Sequence, residues 1–188
     1  LSVVFLRQLD AEHQGTGFGR SFKWDLPMLE GYRSKTLGID PGSLAFRDLR
    51  KLIGVIQEIR PAMIVVTGWN EKLLLVAPLL CRLLCHPVVV RGDSNALKQR
   101  STLARVFHRL MLRIPSGFLS VGRANRDFYV RSGVAGERIF DGCHFVENDR
   151  FLTMASLHAS RREAMRTEYG IGAKDVTLVF CGKHVPFK

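Results

Sequence analysis

Five short polar segments of the 188-residue sequence carry residues that suit binding of a phosphorylated or sugar-like ligand. The first, residues 14–20, holds Gly15, Gly17 and Gly19, which would let a backbone approach a phosphate closely. It fails the dinucleotide fingerprint GxGxxG, because the last glycine position counted from Gly15 holds Arg20, and it fails the Walker A pattern. The simpler alternative is a flexible loop whose glycines only permit turns.

The second segment, residues 22–32, combines aromatic rings with carboxylates. Rings stack on the C–H faces of sugars and carboxylates accept hydrogen bonds from hydroxyls, so Trp24 and Asp25 are candidate sugar-binding residues. The alternative is that Trp24 packs in a core and Asp25 caps a turn.

The other three segments, residues 67–70, 91–94 and 121–125, each follow a short apolar run. In the last of them the chain would begin a helix, whose free N–H groups favour an anion. Arg91 and Asp93 could instead pair with each other. The candidate ligand-facing residues of these segments are Trp69, Asn70, Arg91, Asp93 and Asn125.

Short apolar strands alternating with amphipathic helices must position these segments. The pattern predicts strands over residues 2–6, 63–67, 87–91, 117–121, 138–145 and 176–180, and helices over 43–59, 71–85, 97–113, 123–131 and 149–169. Such alternation is typical of βαβ units, so we expect an α/β fold with a doubly wound, Rossmann-like parallel sheet whose apolar strands are buried on both faces. Ligands bind beyond the carboxyl ends of the strands in such sheets, where the five segments lie.

The charge of the chain predicts an anionic partner. There are 28 Lys and Arg against 17 Asp and Glu, a net charge of +11, and the isoelectric point is about 10.1. The helix over 97–113 joins an apolar stripe to basic residues, which predicts contact with an anionic membrane; the alternative is a core helix with a solvated basic face. Its predicted anion-facing residues are Lys98, Arg105, Arg109 and Arg113.

Composition excludes other classes. A hydrophobic fraction of 46% argues against disorder. No apolar run reaches the roughly 20 residues of a membrane span, and the first residues lack the features of a signal peptide, so we expect a cytoplasmic protein at the inner face of the membrane. The four cysteines form no CxxC pair, so we expect neither a disulfide framework nor a metal site.

Five stretches occur in an order that resembles a known family: Arg60–Asn70, His86–Ser94, Phe118–Phe140, Phe145–Phe151 and Val176–Lys188. Together they resemble the N-terminal half of GT-B glycosyltransferases of the retaining, family-four type. The resemblance runs through nearly the whole chain.

The resemblance implies an acceptor-side domain over 1–148, a hinge helix over 149–174 and the truncated start of a nucleotide-sugar-binding domain over 175–188. It assigns Lys183 and Lys188 to the donor diphosphate. It further implies a hexosyltransferase of polysaccharide biosynthesis that uses a UDP- or GDP-linked sugar, no other cofactor, and a glycan or lipid-linked acceptor. The 188-residue chain alone would be inactive, because the rest of the donor site would follow Lys188.

This sequence departs from the family pattern at two positions. Arg91-Gly92-Asp93 stands where the family often has a histidine, and Gly122 stands in place of a serine. The catalytic residues are therefore unassigned. The remaining alternatives are a nucleic-acid-binding module, suggested by charge but lacking a recognition motif, and a nicotinamide-dependent oxidoreductase, disfavoured by the failed fingerprint. We expect no nucleic-acid partner.

Overall fold

A computed structural model describes residues 1–23, 26–97 and 101–180. Trp24, Asp25, Lys98, Lys183 and Lys188, all predicted above as site residues, lie outside the described residues. The strands are β1 (Ser2–Phe5), β2 (Arg33–Thr36), β3 (Ile64–Thr67), β4 (Val88–Gly92), β5 (Gly117–Ser120) and β6 (Ile139–Asp141). The helices are α1 (Ala11–Gly15), α2 (Phe46–Ile59), α3 (Lys72–Leu83), α4 (Thr102–Met111), α5 (Arg123–Arg131), α6 (Asn148–His158) and α7 (Arg162–Glu168).

The described chain divides into two compact units. Residues 1–8, 26–97 and 101–144 form the first, and residues 9–23 and 145–180 form the second. The first unit holds every strand. The second holds α1, α6, α7 and a 3₁₀ turn between α6 and α7.

All strand pairs of the first unit are parallel. β1 pairs with β2, and β3-β4-β5-β6 form a four-stranded sheet in that order. In the larger sheet Val66 lies opposite Val90, and Val90 lies opposite Phe118. Helices connect the successive strands, so the predicted α/β class with a parallel, Rossmann-like sheet is confirmed.

One face of the four-stranded sheet carries the core. The side chains of Val66, Val90, Phe118 and Ile139 are all nearly inaccessible to solvent. Helix α3 packs on β3 and β4, and α5 packs on β5, where the Tyr129 ring centroid lies 4.7 Å from that of Phe118. Burying side chains of this size contributes roughly 1.5–3 kcal/mol each, so this row supplies a large share of the unit's stability.

The opposite face of the same sheet is partly open in the described residues. Val65 is 45% exposed and Phe140 is 55% exposed, although continuous apolar strands predicted burial on both faces. The connections β3–α3–β4–α4–β5–α5–β6 all step in one direction across the sheet. Right-handed crossovers in one direction place their helices on a single face, which explains why burial alternates along each strand.

Several elements differ from the sequence-based expectation, beginning with the short helix α1, which the sequence did not predict. Strand β2 was not predicted, because its four residues (RSKT) are polar and exposed and only pairing with β1 defines it. The strand predicted over 176–180 is wrong: these residues pair with no strand in the described chain and their apolar side chains are exposed. The single helix predicted over 149–169 is interrupted by the 3₁₀ turn Ala159–Arg161.

Candidate functional site

The carboxyl ends of β4, β5 and β6 meet at one edge of the sheet. Gly92 pairs with Ser120, and Ser120 pairs with Asp141, so the loops that follow the three strands start side by side. Ligands of parallel α/β sheets bind at this edge. The predicted residues Arg91, Asp93 and Asn125 belong to these loops or to the elements that flank them.

Arg91 reaches across the sheet edge toward the loop after β6. Its Nη2 lies 3.0 Å from Nδ1 of His144 and 3.5 Å from the Cys143 carbonyl oxygen. A guanidinium only donates, so His144 Nδ1 is the acceptor in this contact. The alternative pairing of Arg91 with Asp93 is not the one observed.

Arg91 keeps donor groups for a ligand. Guanidinium has five N–H donors, and the contacts to Cys143 and His144 occupy only part of them. His144 is exposed, as is Cys143. The arrangement therefore offers a charged, partly exposed donor group at the carboxyl edge, suited to a phosphate, carboxylate or sugar hydroxyl.

Asn125 joins two loops rather than facing solvent. It is only 3% exposed. Its Oδ1 accepts from the Val121 N–H at 3.2 Å, and its Nδ2 donates to the Ser94 carbonyl at 2.5 Å. These bonds fasten the loop after β4 to the start of α5, so the observed contacts of Asn125 position the site rather than offer it to a ligand.

Two residues at this edge were missed by sequence reasoning. Ser120 Oγ donates to the Gly122 carbonyl at 3.0 Å and thereby shapes the turn into α5. Tyr129 is fully buried, with its hydroxyl placed 3.6 Å from where a Cβ on Gly92 would sit. Burial raises the pKa of Tyr129, opposed chiefly by the Asn125 side chain, so the phenol stays protonated. From the sequence, the position of Tyr129 within a predicted helix indicated only a residue of the core, so it was not among the candidate site residues.

A second polar cluster joins the ends of β1 and β3. The Arg7 guanidinium donates to Glu71 Oε1, and the Gly42 N–H donates to Glu71 Oε2 at 2.9 Å. The Arg7 hydrogen bond, followed by the Gly42 N–H, holds the pKa of Glu71 below its usual value. β1 belongs to the two-stranded sheet and β3 to the four-stranded sheet, so this cluster ties together the carboxyl ends of strands from both sheets.

The glycine-rich segment belongs to the second unit. A Cβ on Gly15 would collide with the Arg20 backbone carbonyl, and Gly17 and Gly19 have φ values of 84° and 72°. Each glycine therefore has a local conformational reason to be there. Their role beside a phosphate remains a prediction.

Trp69 and Asn70 both follow β3, but Trp69 packs against other side chains whereas Asn70 is exposed. Trp69 is half-buried, with its ring centroid 6.5 Å from that of His108. It lines an apolar cavity with residues of α3 and α4, namely Leu74, Leu75, Pro78, His108 and Met111. Asn70 is exposed. The contacts of Trp69 are those of a packing residue, while Asn70 faces solvent at the predicted edge.

Two features are absent from the described residues, a cluster of metal-ligating side chains and a membrane-spanning helix. Nowhere in residues 1–23, 26–97 and 101–180 do three His, Cys, Asp or Glu side chains gather closely enough to hold a metal ion. Over the same ranges, no helix has both the length and the apolar character needed to cross a bilayer.

Comparison with known proteins gives a distant structural likeness. No family model matches the sequence, and no curated protein matches it. One similar solved structure is the UDP-N-acetylglucosamine 2-epimerase from Rickettsia bellii, at 8% identity and a TM-score of 0.47, covering 91% of this chain and 51% of that one. The chain thus spans about half the length of that enzyme, and a likeness at this level assigns it neither activity nor substrate.

Proposed function

We propose that this chain is the acceptor-side part of a two-domain, retaining glycosyltransferase of the GT-B type. The donor would be a UDP- or GDP-linked sugar, and the acceptor a glycan or a lipid-linked saccharide of an envelope polysaccharide. The ordered resemblance of five sequence stretches to the family-four type supports this proposal, as does the parallel sheet with its polar carboxyl edge.

One observation carries the proposal furthest: the guanidinium of Arg91 at the carboxyl edge of the sheet. It is oriented by the Cys143 carbonyl and by His144, and these two contacts leave part of its N–H donors for a ligand. Charge-assisted donors fixed in this way strengthen as negative charge develops on a substrate oxygen. Sugar transfer needs this kind of group, because the sugar hydroxyls must be oriented and the departing diphosphate stabilised.

In the proposed reaction, the protein residues position the substrates and stabilise charge more than they exchange protons. In retaining transfer the leaving diphosphate can itself accept the proton of the acceptor hydroxyl, so no strong protein base is required. Arg91 and His144 would orient the acceptor, and Lys183 with Lys188 would neutralise the diphosphate. Orientation of this kind can supply several kcal/mol of the barrier reduction.

The test is a transfer and donor-hydrolysis assay on the protein encoded by the complete reading frame, with a panel of UDP- and GDP-linked sugars. Release of free UDP or GDP is measured by chromatography. We expect turnover with one donor, and we expect Arg91→Gln to reduce it by roughly ten- to a hundredfold, the scale of a lost hydrogen bond to a charged group. The matched control is Arg33→Gln, an exposed arginine on β2.

If none of the nucleotide sugars in the panel supported turnover, the proposal would be contradicted. Parallel assays with reduced and oxidised nicotinamide cofactors, and with fluorescent single- and double-stranded nucleic acid, test the two alternatives directly. An Arg33→Gln loss equal to that of Arg91→Gln would remove Arg91 from the site.

A further inference from the structure

Helix α4 presents apolar side chains in two directions. One set faces the core of the first unit: Ala104, His108, Met111 and Leu112 are half-buried or buried. The second set follows the spacing i, i+3, i+4, i+7, which places its members on one helix face. This outward stripe consists of Leu103, Val106, Phe107 and Leu110, which are 80%, 51%, 45% and 55% exposed.

A row of arginines borders the outward stripe. Arg105, Arg109 and Arg113 are four residues apart, so they align along the helix, and all three are exposed. The surrounding sequence is basic throughout. Residues 94–126 contain seven Lys and Arg and no Asp or Glu.

The end of this row forms a basic concavity, which we call the arginine pocket. It lies between the carboxyl ends of α4 and α5 and is lined by Arg109, Leu112, Arg113, Ser132, Gly133, Val134 and Arg138. Arg138 is fixed, because it donates to the backbone carbonyls of Pro115 and Ser116. Arg109 lies over Gly133, with Nε 3.4 Å from where a Cβ would be. No acidic side chain lines the pocket.

The pocket attracts anions despite the helix ends beside it. A helix carboxyl end carries about half a negative charge, so two of them offset about one of the three guanidinium charges. A net charge of about +2 remains. In the described part of the chain, neither Arg109 nor Arg113 makes an ion pair with a carboxylate that would reduce it further.

We infer that α4 is the surface by which this protein docks on an anionic phospholipid membrane, with a lipid phosphate held in the arginine pocket. The outward stripe enters the headgroup region, and the arginine row lies against the anionic lipids. Amphipathic helices bind membranes by this combination of apolar burial and charge.

The charge around α4 favours a membrane over a second copy of the chain as the partner of this surface. A symmetric contact through α4 would bring one arginine row close to the other, and the acid-free run 94–126 supplies no carboxylate to offset the repulsion. An anionic lipid surface complements both the stripe and the row. The inference is independent of the proposed transferase activity, because it concerns where the protein binds and not what it catalyses.

The experiment is sedimentation of the purified chain with vesicles of phosphatidylcholine alone and of phosphatidylcholine mixed with phosphatidylglycerol, at low and high salt. We expect binding only to the mixed vesicles. Each basic residue at an anionic surface contributes a factor of about five, so Arg109→Gln with Arg113→Gln should weaken binding roughly twenty- to thirtyfold. Leu103→Ser with Leu110→Ser should weaken it through lost apolar insertion. These side chains are exposed, so folding should tolerate all four substitutions.

The matched control is Arg33→Gln with Arg50→Gln, which removes the same charge from exposed positions on β2 and α2. This control pair should weaken binding far less than Arg109→Gln with Arg113→Gln. Equal weakening by both pairs would show diffuse electrostatic attraction and overturn the site. Failure of the unmodified chain to bind mixed vesicles at low salt would overturn membrane docking and assign the stripe to another occupant, such as a protein partner.

Discussion

At the scale of single residues, the candidate site depends on side chains that hold loops in place. Asn125 bonds the nearby Val121 and the distant Ser94, and Glu71 bonds two partners that are both distant in sequence, Arg7 and Gly42. Such groups stabilise more by avoiding an unpaired polar atom than by the bonds they make, because a buried unpaired group keeps its full desolvation cost. Their removal should therefore be visible in stability measurements.

Asn125→Ala should lower the free energy of unfolding by about 2 kcal/mol, because it leaves the Val121 N–H and the Ser94 carbonyl without their partner. Asn125→Asp should be worse at neutral pH, since a carboxylate oxygen would then face the Ser94 carbonyl, and should recover as acid protonates it. Chemical denaturation at several pH values measures both. The control is Asn70→Ala, because Asn70 is exposed; an equal loss there would contradict this role of Asn125.

Glu71→Gln should lower the free energy of unfolding by about 1–2 kcal/mol near pH 7, toward the lower end of the roughly 1.5–3 kcal/mol for hydrogen bonds to charged groups, because both side chains are partly exposed. The Arg7 contact depresses the pKa of Glu71 in the folded protein, so its stabilisation is present above the ordinary glutamate range and is lost as pH falls through the folded value. The difference between wild type and variant should therefore shrink in acid.

The comparison for Glu71 is Glu58→Gln, which breaks an exposed contact with Lys35. Exposed ion pairs contribute little, so a change within about 0.5 kcal/mol is expected. A Glu71 effect that persisted unchanged at low pH would mean that its charge does not stabilise the fold.

At the scale of elements, α4 is the helix in which the apolar pattern of the sequence and the extent of burial in the structure agree least. Its apolar residues outnumber the positions that face the core, and the excess faces solvent beside arginines. The sequence showed that the helix is basic and amphipathic. The structure adds that part of the apolar surface is not used for packing within the first unit.

Reversing charge on this helix should change membrane affinity and its salt dependence together. Arg105→Glu with Arg109→Glu should abolish most binding to anionic vesicles, because attraction is replaced by repulsion at two positions. The remaining binding should depend less on ionic strength, since fewer screened charges contribute. Vesicle sedimentation across a salt series measures this. Unchanged binding would remove α4 from the membrane surface.

At the scale of the whole molecule, the proposed enzyme needs more than the described residues. A transferase site formed by two domains requires both walls to exclude water and to align donor with acceptor. The residues that the resemblance assigns to the donor, Lys183 and Lys188, lie outside the described residues. The activity is therefore a property to be tested on the protein from the complete reading frame.

In that protein, Lys183→Ala should lower turnover on the order of a hundredfold or more, because its contact to the diphosphate strengthens as the leaving group gains charge. The control is Lys174→Ala, an exposed residue that should change little. The 188-residue chain alone should bind nucleotide sugars weakly and transfer none. Transfer by the isolated chain at the full rate would contradict the two-domain proposal.

The sequence by itself determined the class of fold. Runs such as Val88–Val90 and Ile64–Val66 are short, β-branched and apolar, which predicts strands, and the helical segments between them predict parallel pairing through crossovers. Local pattern also located α2, α3 and α5 to within a few residues, because periodic apolar residues report which face is buried.

Only the tertiary structure decided which polar residues act together. The bridge from Arg91 to His144 spans 53 positions and that from Arg7 to Glu71 spans 64, and no local pattern encodes such pairs. Strand β2 likewise exists only because β1 lies beside it. Whether the second face of the sheet and the outward stripe of α4 are covered depends on where neighbouring elements end. The periodicity of the chain shows that a face is apolar, but not whether another element packs on it.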